Sequence, residues 1–400
     1  MDALIVKLNS DGKKVGYITQ IGGKGWDAVQ GMALDAERNI YAVGTTYSSD
    51  FPISEISFQK EFGGESDAFV VKLNPKGEVI WSILLGGSED EDGRDIIIDS
   101  NNTIHIIGRT ASNNFPTTPN EALQAESAGG IDVFIASIDW EGNVLASSYF
   151  GGSGDDIGFS INANNDGQLL LGGTTDSPDL PIKNAIQKKL NGDNDIFIAT
   201  IQQNSPRIEF ASYLGGSNSD QLYAIDIDPL GMPIMTGVTN STNFPVTAGV
   251  FQQNLRGGTD IFVSKIDVKN PSLVFSTYLG GSKDDSPRNL AVNSNGDTYI
   301  VGKTNSDDYP NKYAIGKRSG KSDAIITLLD KNGSELLYST LYGGNAIETF
   351  EGIALGIDNS ITVSGLSNST NFPVKNSIQD QFKGGRFDIV VSRFKLAKKE

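Results

Sequence analysis

Residues 260–281, DIFVSKIDVKNPSLVFSTYLGG, carry the reading that decides the fold. They run as an apolar strand opened by Asp260, a turn, and a second strand closed by Gly280-Gly281. The same ending, a glycine pair behind an apolar residue, stands at Gly22-Gly23, Gly86-Gly87, Gly151-Gly152, Gly215-Gly216 and Gly343-Gly344. Successive first glycines are 64, 65, 64, 65 and 63 residues apart. The opening aspartate recurs as well, at Asp2, Asp67, Asp132, Asp195, Asp323 and Asp388. Two independent anchors on one period establish an internal repeat.

Counted from the second glycine, the repeat has fixed punctuation. Four residues on comes an acid: Asp27, Glu91, Asp156, Asp220, Asp285 and Glu348. Nine and eleven residues on come mainly apolar pairs such as Ile96 and Ile98, the period-two mark of a strand. Asp35, Asp99, Asn164, Asp228 and Asn293 then open a turn, with Gly356 the exception. A second strand ends at Gly44, Gly108, Gly173, Gly237, Gly302 and Gly365, each followed two residues later by a hydroxyl, Thr46 to Ser367. An apolar-Pro loop follows, as at Phe51-Pro52 and Phe115-Pro116. Proline cannot donate to a sheet, so this segment is loop, with its apolar residue tucked under the sheet rim. At most a helical turn is expected after it, near Ala122-Leu123-Gln124.

Each repeat thus encodes four antiparallel strands in about 64 residues, and radial repetition of such units predicts an all-β β-propeller. Six first-and-second-strand units and six third-and-fourth-strand units give six blades, with seven as the alternative if a unit is missing. We read one domain over 1–400, with blades near 22–86, 87–151, 152–215, 216–280, 281–343 and 344–400. Residues 1–21 are expected to complete the last blade, so that both termini close it and remove a free edge. One terminal strand, Asp2–Leu8 or Asp388–Lys395, is then surplus, or one of them pairs outside the ring.

Composition narrows the chemistry. The 400 residues include 46 Gly, no Cys and one His, at a formal net charge of −17. Without cysteine there are no disulfides, thiolate–zinc sites or thiol nucleophiles. A single histidine, His105, excludes multi-His metal sites and leaves a Ser-His-Asp arrangement only one base. The acidic balance argues against nucleic acid or anionic membrane as the main partner. No apolar run approaches the roughly 18–20 residues that span a bilayer, and residues 1–10 lack the basic region of a signal peptide.

The strings YFGGSGDD (149–156) and DIFVSKID…STYLGG (260–281), with the Phe-Pro loops between, resemble the bacterial SBBP β-propeller repeat family over essentially the whole chain. The resemblance implies a secreted or surface-exposed bacterial protein, often beside adhesion-type modules, with no agreed catalytic residues. It also implies seven blades, where this sequence supplies six.

Two sets of positions are candidate sites. If the first strands are innermost, Asp27, Glu91, Asp156, Asp220, Asp285 and Glu348 ring one mouth of the channel, where converging carboxylates would take Ca²⁺ or have raised pKa values. Alternatively, each carboxylate accepts backbone N–H groups of its own turn, a duty repeated because the turn is repeated. A structural duty should recur in every blade, whereas a ligand site breaks symmetry. The varying position, seven residues after the glycine pair, holds Gln30, Arg94, Phe159, Tyr223, Arg288 and Glu351. Such groups suit a glycan or peptide, through stacking and bidentate hydrogen bonds, or else they fill solvated rim positions.

Minor candidates are weaker. Asn162–Gly167 and Asp330–Gly333 echo calcium loops but lack the closing Glu. His105 falls where other repeats have packed residues, and Arg109 and Lys303 add basic points after the strand-ending glycine. The expectation is a non-catalytic extracellular or cell-envelope module for a protein or carbohydrate partner, with no cofactor beyond Ca²⁺ in the acidic ring. It would be a monomeric domain or part of a larger surface protein. The rivals are a lyase- or glycosidase-type enzyme at the channel mouth and a purely structural spacer.

Overall fold

The computed structural model describes residues 1–164, 166–203 and 207–395. All regular elements are strands, and no helix forms near Ala122 or elsewhere among the described residues. A first hairpin joins β1 (Ala3–Leu8) and β2 (Val15–Ile21). Next come β3 (Asp27–Leu34), β4 (Ile40–Thr46), β5 (Asp67–Leu73) and β6 (Val79–Leu85). The second full blade is β7 (Glu91–Ile98), β8 (Ile104–Thr110), β9 (Asp132–Ile138) and β10 (Val144–Phe150). The third is β11 (Asp156–Ala163), β12 (Gln168–Thr175), β13 (Asp195–Gln202) and β14 (Ile208–Leu214). The fourth is β15 (Asp220–Ile227), β16 (Pro233–Thr239), β17 (Asp260–Asp267) and β18 (Ser272–Leu279). The fifth is β19 (Asp285–Val292), β20 (Thr298–Thr304), β21 (Asp323–Leu329) and β22 (Leu336–Tyr342). The sixth has β23 (Glu348–Leu355), β24 (Ser360–Ser367) and β25 (Asp388–Lys395).

Five of the six β-propeller blades are sheets of four antiparallel strands in sequence order, and the sixth has three. The sixth blade corrects one expectation: all three of its strands come from the C-terminal end. β25 takes the third-strand place, in register with β24 from Ser360↔Lys395 to Ser367↔Asp388. Asp388 makes the bonds a third-strand aspartate makes, accepting from Gln379 Nε2 at 2.7 Å and the Lys383 N–H at 2.8 Å. β1 carries the same anchor, Asp2, and among the described residues pairs with β2 alone.

The described chain forms two compact units, Met1–Leu190 with Ile196–Tyr213, and Asn191–Asp195 with the residues from Leu214 onward. Within each, the core lies between neighbouring sheets. Tyr41, Val43, Val70 and Ile83 interlock with Ile104, Ile106, Phe134 and Ala136, while Ile107, Val133 and Ile135 pack on Leu171, Phe197 and Tyr213. In the second unit Ile234, Val263 and Phe275 meet Ile300, Ile325 and Leu329. A third strand such as β5 is buried along its whole length because it is covered on both faces.

The apolar-Pro loops lie where the sequence puts them. Phe115 stacks on Phe134 with ring centroids 4.8 Å apart, and Phe244 on Phe262 at 4.9 Å. The Tyr149 hydroxyl accepts the Phe115 N–H and donates to the Ser112 carbonyl, both at 2.8 Å. Tyr213 and Tyr278 hold their loops in the same manner.

Candidate functional site

The six repeated acids are buried inside their blades, none more than 2% exposed. Each is held in a clamp. Glu91 accepts the Gly87 N–H at 2.7 Å and the Thr110 hydroxyl at 2.6 Å. Asp156 accepts Gly152 N–H and Ser177 Oγ, both at 2.7 Å. Asp27, Asp220, Asp285 and Glu348 repeat the pattern with Gly23 and Ser48, Gly216 and Ser241, Gly281 and Ser306, and Gly344 and Ser369. The serine two residues after the first hydroxyl is a partner that sequence reading missed, although it recurs in every repeat. The first strand turns these carboxylates back into the sheet, and their acceptor sites face hydroxyls and an amide. Among the described residues no three acidic or histidine side chains come together as a metal site would need.

A second carboxylate lies beside each clamp. A Cβ built on Gly86 would sit 2.2 Å from Asp67 Oδ1 and 2.8 Å from Glu91 Oε2. The first glycine of the pair is therefore required by crowding between two acids. Burial, then this proximity, pushes Glu91 up to about 7 and Asp220 and Asp285 up to about 6, while hydroxyl and amide donors hold them back.

The varying positions share a structural cause. Each first strand carries a β-bulge, at Val29/Gly31, Gly93/Asp95, Gly158/Ser160, Leu222/Ala224, Pro287/Asn289 and Phe350/Gly352. The residue left out of register is Gln30, Arg94, Phe159, Tyr223, Arg288 or Glu351, so the six rim candidates are the six bulge residues. A bulge releases a side chain from the ladder and re-aims it.

The bulge residues meet within each unit. In the first, the Arg94 guanidinium carbon lies 5.2 Å from the Phe159 ring centroid. Arg94 Nη2 donates to Asp92 Oδ2 at 2.7 Å, Arg109 Nε to the same oxygen at 3.1 Å, and Gln30 Nε2 to Asp92 Oδ1 at 3.0 Å. Thr45 Oγ1 also donates to Asp92. Burial alone would raise the Asp92 carboxyl, but Arg94, Thr45 and Arg109 outweigh it and hold the group below its usual value. In the second unit, Arg288 lies 5.1 Å over the Tyr223 ring, with Nε 3.1 Å from Glu351 Oε2 and Nη1 2.9 Å from Ser286 Oγ. Asp92 and Thr45 were invisible as site residues. The only signal for them is the cross-strand pairing of Asp92 with Arg109.

The minor candidates sort out by their contacts. His105 is 2% exposed, with Nδ1 2.8 Å from Ser137 Oγ and Nε2 3.3 Å from Asp99 Oδ2. Burial lowers its pKa, against the pull of Asp99. The same three places hold Asp35, Tyr41 and Lys72 in the first full blade, and in the fourth a buried Lys265–Asp228 pair at 2.5 Å. These sets tie the first turn to the third strand, each with different side chains. Asp330 accepts the N–H groups of Asn332, Ser334 and Glu335, which makes 330–333 a hydrogen-bonded turn. In the 162–167 fragment Asn164 does likewise toward Asp166 and Gln168, while Asn165 lies outside the described residues.

Three segments, 16–52, 80–116 and 274–310, match the beta-propeller repeat model called SBBP. Each runs from the fourth strand through the glycine pair and two strands to the apolar-Pro step. In these three segments the chain matches the SBBP β-propeller repeat. These SBBP segments therefore contain both the clamp and the bulge. The regulatory protein FlaEY of Caulobacter vibrioides is 24% identical over 253 residues, 59% of this chain and 26% of that protein. The chain thus spans about a quarter of this relative's length. Among solved structures, a protein of unknown function from Dyadobacter fermentans has a TM-score of 0.48 at 10% identity, covering 93% of this chain and 96% of its own. A gluconolactonase from Xanthomonas campestris has a TM-score of 0.41 at 10% identity, covering 86% and 84%. A quinohemoprotein alcohol dehydrogenase from Comamonas testosteroni has 0.45 at 10%, covering 91% and 60%.

Proposed function

We propose that this protein is a non-catalytic binding module whose bulge residues grip a protein or glycan partner. The carrying observation is the contrast inside one strand. The clamp acid repeats in all six blades, while the bulge residue three positions later differs almost every time. Selection for folding alone would repeat both. Two guanidinium groups held over aromatic rings supply pre-organised donors, which suits recognition by hydrogen bonding. Placement outside the cell or in the cell envelope rests on the SBBP resemblance.

The test is a screen of the whole chain against an immobilised oligosaccharide array and a displayed random-peptide library. The fourfold variant Arg94→Ala, Phe159→Ala, Tyr223→Ala, Arg288→Ala is run in parallel. Ligands bound by the parent and lost in the variant support the reading. Ligands retained by the variant, or none for either chain, overturn it.

A further inference from the structure

We propose that the first unit holds a subsite for an acidic sugar, a single carboxylate on an otherwise neutral glycan, with Trp26 and Tyr47 under the ring and Arg109 on the carboxylate. This rests on the binding-module reading and narrows its ligand. In all six blades the residue before the clamp acid and the residue after the clamp hydroxyl share one backbone bond. In the first full blade it runs from the Tyr47 N–H to the Trp26 carbonyl at 2.9 Å. The side chains elsewhere are Asp90 with Ala111, Asp155 with Asp176, Ser219 with Asn240, Asp284 with Asn305 and Ile347 with Asn368. Only here are both aromatic. The rings meet edge to face, centroids 5.6 Å apart and planes at 61°, with Trp26 44% and Tyr47 47% exposed. An edge-to-face pair leaves ring face open, and an exposed amphipathic ring is what the apolar face of a pyranose stacks on.

Two residues along the chain from Tyr47, Thr45 hydrogen-bonds Asp92, the acceptor that also braces Arg94 and Arg109. Arg109 spends only its Nε on Asp92, so its two Nη groups form a free fork 29% exposed in total. Arg94 Nε is buried with no acceptor. Two guanidinium groups, those of Arg94 and Arg109, share the single Asp92 carboxylate. A forked guanidinium matches a carboxylate with two parallel bonds. The chain's overall negative charge repels a polyanion, whereas a lone carboxylate on a neutral glycan feels mainly the local fork within a Debye length of about 8 Å.

Titration calorimetry of the full chain, with EDTA present, tests this with three probes: an oligosaccharide ending in glucuronic acid, its methyl ester, and the glucose-ended counterpart. The acid should bind at least tenfold more tightly than the ester. Arg109→Gln should bring the acid down to within about twofold of the ester, and Trp26→Ala should weaken the acid at least tenfold. Thermal melts of both variants establish that they fold, and Arg109→Lys, which keeps the charge without the fork, should recover only part of the preference. Equal affinity for acid and ester, or an unchanged Arg109→Gln, overturns the acidic-sugar assignment. A glutamate-containing peptide that binds as well as the acid, indifferent to Trp26→Ala, overturns it too. In these cases the binding-module reading survives if the array or library still yields ligands lost in the fourfold bulge variant. It falls with them if those ligands are retained.

Discussion

Glu91 and Arg94 are three residues apart on β7 and live under opposite constraints. Glu91 is enclosed by Gly87, Thr110 and the neighbouring Asp67, and its counterparts in five other blades are enclosed alike. Arg94 sits on a bulge, out of the ladder, and its counterparts are glutamine, phenylalanine, tyrosine, arginine and glutamate. The clamp answers a folding problem: at each passage from one blade to the next, a buried acid accepts the glycine N–H and a hydroxyl of the following loop. The bulge closes no such passage, and its side chain changes from blade to blade. Repetition therefore marks what holds the blades, and variation marks the positions to which the proposed binding role is assigned.

The hardest way to break this contrast is to strike the framework where no side chain can yield. A Cβ on Gly108 would lie 2.0 Å from the Asp92 carbonyl oxygen and 2.6 Å from the Phe134 ring. Gly108→Ala should cost about 3 kcal/mol or more, since backbone and a packed aromatic must both shift. Denaturant unfolding should show a midpoint well below that of the parent, and an unchanged midpoint would remove the steric account of these glycines.

A gentler strike removes one clamp donor. Ser177→Ala takes a hydroxyl from Asp156 and should cost about 1–3 kcal/mol, because the buried carboxylate keeps its desolvation and loses a partner. The same substitution at an exposed serine such as Ser49 should cost under about 0.5 kcal/mol. Equal costs at the two sites would mean that the clamp bond contributes nothing specific.

The pH dependence sharpens the comparison further. Glu91 is raised to about 7, and Asp220 and Asp285 to about 6, chiefly by burial. Folded pKa values above the unfolded ones mean that the folded chain binds more protons between about pH 4 and 7. Stability from these groups is full below the unfolded values and falls as pH rises through that window. Carboxylates held low, such as Asp92, act below it. Urea midpoints should therefore be higher at pH 5 than at pH 8, and Glu91→Gln, neutral throughout, should flatten the slope. A midpoint that climbs from pH 5 to pH 8 would contradict the burial account.

What was legible in the sequence follows the same division. Repeated features could be read because six copies average out accident: the four-strand unit, the apolar-Pro anchors under the rim and the strand boundaries all stand where the spacing put them. The clamp acids were found, yet the picture of a converging ring missed the direction of their side chains. Their direction follows from the pairing of Glu91 with Thr110, whose hydroxyl the acid accepts, and that pairing cannot be seen without the register of β7 on β8. Asp92 escaped notice for the same reason, since its importance lies in a cross-strand pairing with Arg109. The makeup of the sixth blade was also hidden, because the strands opened by Asp2 and Asp388 bear one signature and only pairing with β24 chooses between them.

The most direct test of the central claim is the thermal unfolding of the fourfold bulge variant beside Gly108→Ala, with no ligand present. The account predicts that removing Arg94, Phe159, Tyr223 and Arg288 together shifts stability by no more than about 2 kcal/mol, the sum expected of partly exposed side chains, while one methyl group at Gly108 costs more. A fourfold variant that unfolds as readily as Gly108→Ala would contradict it, and would make the bulge residues part of the framework.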